Sequence, residues 1–168
     1  MIRLPRREAP SAEDFKRMVE PHLDRMALVA ARFGPPQDRD DIVQDALLRA
    51  WRSRHTYEPS RGPFSGWLFA ITANAARTHG RRTREPVVLV SLAPVADLEG
   101  RLDIEEAIRR LPTRQRSAVQ CYYGVGMSVA ETAAVLDCSE GTVKSTLSDA
   151  RAKLRTLLES NEDRMGHK

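Results

Sequence analysis

Apolar residues recur at helical spacing along most of this chain, but the period is lost between Glu85 and Gly100, where Pro86, Pro94 and Gly100 interrupt an apolar and acidic run. A length of 168 residues suits one ordinary domain or two small ones, and this central break selects two. The expected fold is all-α: two small helical domains at residues 11–84 and 102–160, joined by an acidic flexible linker at 85–101, with a helix-turn-helix in the second. Val87 to Val90 is the one strand-like run, and so short a run with no partner strand in view cannot make a sheet. It is assigned to the extended linker.

In the first block Ser11 is a good N-cap, and Phe15, Met18, Val19, Leu23, Met26, Val29, Ala30 and Phe33 follow at helical spacing until Gly34, Pro35 and Pro36 stop the pattern. After Asp38, a second candidate cap, Ile42, Val43, Ala46, Leu47, Ala50 and Trp51 form a continuous stripe that leaves Asp41, Gln44, Asp45, Arg49 and Arg52 outside it. Ser53 to Gly62 carries Pro59 and Gly62 and reads as a loop. Phe64, Trp67, Leu68, Ile71 and Ala75 then mark a third helix running into Arg81 and Arg82. These three helices are expected to pack as one unit.

In the second block Asp103 and Glu106 read as a capping box ahead of Ile108 and Leu111, and Pro112 ends that helix. Thr113 is a candidate cap for a helix that carries Ala118, Val119 and Tyr122 and stops at Gly124. Ser128 with Glu131 is a second capping box, opening a short helix to about Leu136. Asp137, Cys138 and Ser139 form a turn, and Ser139 caps a long helix with Val143, Leu147, Ala150, Leu154 and Leu157 on its apolar side.

Charge follows the same division. Residues 1–84 carry a surplus of +6, residues 85–106 a deficit of −5, and residues 107–158 a surplus of +4, so two basic blocks flank an acidic joint. Such blocks attract polyanions, of which nucleic acid is the commonest in a cytoplasm. Aromatics are only 5% of the chain, which argues against a β-sandwich. No apolar run approaches the length needed to span a bilayer, and the first ten residues lack the apolar stretch of a signal peptide, so a cytoplasmic location without membrane contact is expected. Cys121 and Cys138 cannot make a disulfide framework and lack zinc spacing, so both are expected to be small buried residues.

A short helix and a long one joined by a three-residue turn, the long one polar outside, have the pattern of a helix-turn-helix. The outer face is Glu140, Gly141, Thr142, Lys144, Ser145, Ser148 and Arg151. Small and hydroxyl side chains near the helix start let backbone approach a major groove, with Lys144 and Arg151 able to meet phosphates or guanine edges. The same spacing also fits an ordinary α-hairpin with a solvated face. On the third helix, Asn74 falls near Trp67 at the edge of the stripe, where an amide beside an aromatic suits an unpaired base, and Arg77, Arg81 and Arg82 follow. The plainer alternative makes Trp67 core and the arginines a solvated helix end favoured by the dipole. Asp38, Asp40, Asp41 and Asp45 invite a metal reading, but no histidine shares their helix, and acids are favoured in a first turn anyway. No catalytic nucleophile motif or phosphate loop is present, so an enzyme is not expected.

Three sets of residues, in this order, carry a resemblance. Asp40-Asp41-Ile42-Val43-Gln44-Asp45-Ala46 with Ala50-Trp51 comes first, and Phe64-Ser65-Gly66-Trp67-Leu68-Phe69-Ala70-Ile71 with Asn74 and Arg81-Arg82 comes second. The third is Leu111-Pro112, Arg116, Ser128, Glu131, Ala133, Leu136, Ser139 and Gly141-Thr142-Val143-Lys144-Ser145 with Ala150-Arg151. From about Phe15 to Leu158 the chain resembles an extracytoplasmic-function sigma factor, the smallest class of bacterial transcription initiation factors.

The resemblance implies that Asp40, Asp41, Ile42, Val43, Gln44 and Asp45 dock on core RNA polymerase, whose beta and beta-prime subunits would be partners. It implies that Trp67, Asn74, Arg77, Arg81 and Arg82, with the Ser53 to Phe64 loop, capture the minus-ten element of promoter DNA. It gives the minus-thirty-five element to Arg116, Ser139, Gly141, Thr142, Lys144, Ser145, Ser148 and Arg151. The linker would run through the polymerase cleft, an anti-sigma factor would be a further partner, and no cofactor or metal is implied. Three residues depart from the family's pattern: Thr146 and Asp149 stand where basic residues are usual, and Thr78 where an acid is often found.

The function expected is thus an alternative-type sigma factor that binds core polymerase and directs promoter recognition, DNA melting and initiation. A free-standing helix-turn-helix regulator of duplex DNA is the alternative, which needs no polymerase. A metal-dependent nuclease using Asp38, Asp41 and Asp45 is a third reading, and it lacks a complete ligand set.

Overall fold

The protein is represented by a computed structural model that describes residues 10–83 and 98–165. It divides into two compact units, Met1–Val87 and Val88–Lys168, and among the described residues every regular element is helical.

The first unit holds α1 (Ala12–Val19), α2 (Leu23–Phe33), α3 (Arg39–Ser53) and α4 (Phe64–Thr83). Ser11 caps α1 as expected, its Oγ accepting the Asp14 N–H at 3.2 Å. The periodic segment from Phe15 to Phe33 is not one helix, however, because a 3-10 turn at Glu20–His22 separates α1 from α2. Pro21 is the cause: it has no N–H to continue the ladder, and its ring crowds the preceding turn. The unit therefore packs four helices where the apolar pattern suggested three.

Position 34 is crowded. A Cβ there would lie 2.5 Å from Ile42 Cδ1 and 3.2 Å from Ala76 Cβ, so the absence of a side chain at Gly34 lets α3 and α4 pack tightly over the end of α2. Met26, Val29, Ala30, Ile42, Ala46, Ala50, Leu68, Phe69, Ala73 and Ala76 are completely buried there. Asp38 occupies the N-cap position of α3 without a capping side-chain bond. The segment expected as a loop contains two 3-10 turns, Arg54–Thr56 and Pro59–Arg61.

The second unit holds α5 (Leu98–Arg109), α6 (Thr113–Val119), α7 (Val129–Leu136) and α8 (Glu140–Met165). The first helix begins earlier than the capping-box reading placed it, so Asp103 and Glu106 lie inside α5. Glu106 instead pairs with Arg109 at 3.0 Å and Arg110 at 3.2 Å, the spacing of a helix face rather than a helix start. Residues 98–101, assigned to the linker from sequence, are thus helical, and the rest of that segment, Val87 to Val90 included, lies outside the described residues. Thr113 is the first residue of α6 rather than its cap, the cap position being Pro112. One π-helical turn, Gln120–Gly124, continues α6.

The expected capping box is present at α7: Ser128 Oγ accepts the Glu131 N–H at 3.2 Å, and Glu131 Oε2 accepts the Ser128 N–H at 2.8 Å. Ser139 caps α8 through the Thr142 N–H at 3.1 Å. Ile108, Leu111, Ala118, Val119, Ala133, Val143, Leu147 and Ala150 form the core. Cys121 is buried as expected, but Cys138 is only half-buried, because it sits in the turn at the edge of that core.

Asp137 ends α7 in the left-handed region at φ 51° and is exposed. A Cβ is disfavoured there, so Asp137→Gly is expected to raise the stability of this unit by about 0.5 kcal/mol, after the greater flexibility of unfolded glycine is subtracted. A higher denaturant midpoint with unchanged slope would verify this. An unchanged or lower midpoint would show that the aspartate side chain compensates for its backbone.

Candidate functional site

Three helix faces, on α3 and α4 in the first unit and on α8 in the second, carry most of the residues singled out from sequence. On α3, Asp40, Asp41 and Gln44 are exposed and Val43 is half-buried. Asp40 accepts from Arg39 Nε at 2.8 Å, and that hydrogen bond holds its carboxyl below the usual range. Ile42 does not belong with them: it is completely buried, since the stripe residue facing Gly34 must fill the space between α2 and α4. It anchors the surface and offers nothing to a partner.

Asp45 also differs from the expectation of a freely exposed acid. Arg49 grips it through two parallel contacts, Nε to Oδ1 at 2.9 Å and Nη2 to Oδ2 at 2.7 Å, and His79 Nε2 approaches Oδ2 at 3.6 Å from α4. The Arg49 hydrogen bond, then the charges of Arg49 and His79, keep the Asp45 carboxyl below its ordinary value. A depressed folded-state value means that this contribution to stability is complete above the usual carboxylate range and disappears as pH falls through the folded value.

Beside these residues α1 and α3 frame an apolar groove of about 460 Å³, lined among others by Phe15, Val19, Leu23, Leu47, Leu48 and Trp51. Leu48 is 55% exposed and Leu23 39% exposed, so apolar surface adjoins the acidic face. Sequence reading placed Leu47 and Trp51 on the apolar stripe and gave no sign that part of the stripe remains open.

On α4, Trp67 is half-buried in an aromatic cluster, its ring centroid 5.5 Å from Phe64 and 5.7 Å from Tyr57. Asn74 is exposed, and its Oδ1 accepts from Arg77 Nη1 at 3.0 Å. The expected neighbourhood of Trp67 and Asn74 holds for the helix face but not for contact: seven residues put them roughly 10 Å apart along the axis. The Arg77 guanidinium stacks 4.9 Å from the Phe33 ring centroid, which fixes it against the end of α2. Thr78 Oγ1 donates to the Asn74 carbonyl at 2.8 Å and receives Arg81 Nη2 at 3.5 Å, so this threonine ties the helix to itself. Arg82 lies on α4, and its side chain is outside the described residues. Tyr57 and His79 were missed from sequence. An aromatic in a Pro/Gly loop and one histidine among four scattered ones carry no periodic signal.

In the second unit, Gly141, Lys144, Ser145, Ser148 and Arg151 are exposed on α8, opposite buried Val143, Leu147 and Ala150, and Thr142 is half-buried. A Cβ at Gly141 would meet only Ser139 Oγ, at 3.8 Å, so the helix start is open to close approach. Ser139 and Ser145 are partly engaged, Ser139 in the cap and Ser145 through its Oγ donating to the Thr142 carbonyl at 3.0 Å. Arg116 stands apart from this face: on α6 and half-buried, it donates Nη1 to the Arg109 carbonyl at 3.0 Å and so closes the end of α5.

Among the described residues no helix is long and apolar enough to cross a membrane, and no three His, Cys, Asp or Glu side chains are placed to hold a metal ion. A capped short helix, a tight turn and a long helix with an exposed hydroxyl and basic face make a helix-turn-helix, so the class is a helical DNA-binding protein with a second, separate helical unit.

Residues 18–85 match the family described as Sigma-70 region 2, and residues 101–154 match Sigma-70, region 4. The chain is 38% identical over 142 residues to the ECF RNA polymerase sigma factor SigM of Mycobacterium tuberculosis, covering 81% of this chain and 71% of that one. It is 32% identical over 171 residues to the RNA polymerase sigma factor CnrH of Cupriavidus metallidurans, covering 89% of each. The solved structure of CnrH in complex with the cytosolic domain of CnrY matches with a TM-score of 0.64 at 32% identity, over 89% of this chain and 90% of that one. The sigma factor RpoE of Bartonella quintana, solved with the anti-sigma factor NepR, matches with a TM-score of 0.62 at 28% identity, over 88% and 98%. The chain belongs to the extracytoplasmic-function group of the sigma-70 family of RNA polymerase sigma factors. It is an alternative sigma factor that directs transcription initiation.

Proposed function

We propose that the first unit holds core RNA polymerase and captures the opened minus-ten element, while the second reads the minus-thirty-five element as duplex. The exposed acids Asp40 and Asp41, with Gln44 and the outer side of Asp45, meet polymerase on α3, and the apolar groove beside them extends that contact. Asn74, with Arg77 and Arg81, faces unpaired bases and phosphates from α4, Trp67 and Tyr57 supplying aromatic surface next to the connecting loop. Gly141, Lys144, Ser145, Ser148 and Arg151 enter the major groove from α8.

The observation that carries this reading is the pairing, on one chain and in order, of the region 2 and region 4 matches, each with an exposed polar helix face. The protein performs no bond-making chemistry of its own, acts in the cytoplasm and has an anti-sigma factor as a further partner. Two structural neighbours are sigma factors bound to CnrY and to NepR, which supports that kind of partner. Transcription reconstituted with core polymerase on a promoter library tests the whole reading. Polymerase-dependent initiation from a consistent pair of elements is expected. Duplex binding without any polymerase association would instead favour a free-standing regulator.

The α8 face should grip duplex DNA weakly. Thr146 and Asp149 occupy positions where the family usually places basic residues, leaving Lys144 and Arg151. Lys144→Ala is expected to weaken binding of the whole chain to minus-thirty-five duplex and to lower the salt slope by about one unit, and Thr146→Arg to strengthen binding and steepen the slope by about as much. Titration at several salt concentrations reads both. Equal slopes in all three proteins would remove Lys144 from the phosphate contacts.

A further inference from the structure

Helices α3 and α4 bring the two proposed surfaces of the first unit together, burying Ile42, Leu68 and Phe69 along with Ala46, Ala50, Ala73, Ala75 and Ala76. Beyond Ala76, residues 77–81 of α4 are half-buried or exposed, so apolar packing fixes that end of the helix less firmly than its start. One side chain there adds a polar tie. His79 Nε2 lies 3.6 Å from Asp45 Oδ2 and His79 Nδ1 lies 3.9 Å from Asp38 Oδ2, with the imidazole only 20% exposed.

Asp38 and Asp45 are seven residues apart, two turns on one side of α3, and the ring spans them. Arg49 holds Asp45 in place as an acceptor. The helix dipole favours the Asp38 carboxylate at the N-terminus of α3.

We propose that His79 is a positioning residue for promoter opening, tying the promoter-facing end of α4 to the polymerase-facing helix α3 through Asp45 and Asp38. Asn74 and Arg77 lie within five residues of the tie, so register set at His79 is passed to them along a rigid helix. The assignment rests on the division of labour proposed above.

The test uses the full chain with core polymerase and measures polymerase affinity, open-complex formation and thermal unfolding for wild type, His79→Gln and His79→Lys. His79→Gln is expected to slow open-complex formation about fivefold, equivalent to ~1 kcal/mol, with polymerase affinity unchanged. His79→Lys places a cation with several donors opposite the two carboxylates and should recover most of that loss. A normal opening rate in His79→Gln would overturn the proposal, as would losses of opening, affinity and melting temperature in step that lysine does not rescue. Failure of the wild-type chain to bind polymerase would instead overturn the functional reading beneath it.

Discussion

Ile42→Ala will destabilise the first unit by about 2 to 5 kcal/mol, the range for emptying a completely buried aliphatic site. Ile42 is 0% exposed, and its Cδ1 occupies the space above Gly34 where α2, α3 and α4 converge. Gly34 lies beside that methyl, and its backbone has little freedom to collapse into the void. For a unit of this size the melting midpoint should fall by on the order of 10 °C or more. Polymerase affinity should drop only as far as the unfolded fraction rises. Asp41→Lys should do the opposite, since Asp41 is exposed: it removes a favourable first-turn charge worth about 0.3 to 1 kcal/mol, yet strongly weakens polymerase binding. Loss of affinity without loss of stability in Ile42→Ala would mean that the stripe faces a partner after all.

Asn74→Ala is expected to cost on the order of 1 to 3 kcal/mol in open-complex formation, roughly what a good amide contact to a base edge contributes. The fold should survive. Asn74 is exposed, its side-chain partner is Arg77 on the same helix, and alanine is the better helix former. Arg77 keeps its place over the Phe33 ring when the amide is removed, so a secondary displacement of the guanidinium is not expected. Binding to fully duplex promoter should change little, because the proposed contact exists only once the bases are unpaired. A lower melting temperature with normal promoter opening would make Asn74 a structural residue and would remove α4 from base capture.

Features that depend on a few neighbouring residues were legible in advance. The caps at Ser11, Ser128 and Ser139, the turn at Asp137 to Ser139 and the polar face of α8 all follow from contacts within one or two helical turns. Misplaced boundaries share a cause. Asp103 and Glu106 satisfy the capping-box pattern, but the same pair fits a helix interior in which Glu106 meets Arg109 and Arg110, and pattern alone does not rank the two. Pro21 was overshadowed by an apolar period that continues across it, although the backbone breaks there.

The candidate surfaces divide along the same line. Residue types and their order along α3, α4 and α8 are properties of the chain, and they were sufficient to find the family. Which members of the run Asp40 to Asp45 face outward is not, because Ile42 becomes core where α2 and α4 close on it beside Gly34, and Asp45, besides its partner Arg49 on the same helix, meets His79 only when α4 is brought alongside. The open groove between α1 and α3 and the Tyr57, Phe64 and Trp67 cluster arise in the same way, from segments that meet through packing. Local hydrogen bonds choose secondary structure from the nearest residues, whereas burial and ion pairing between helices depend on side-chain volumes contributed from distant parts of the sequence.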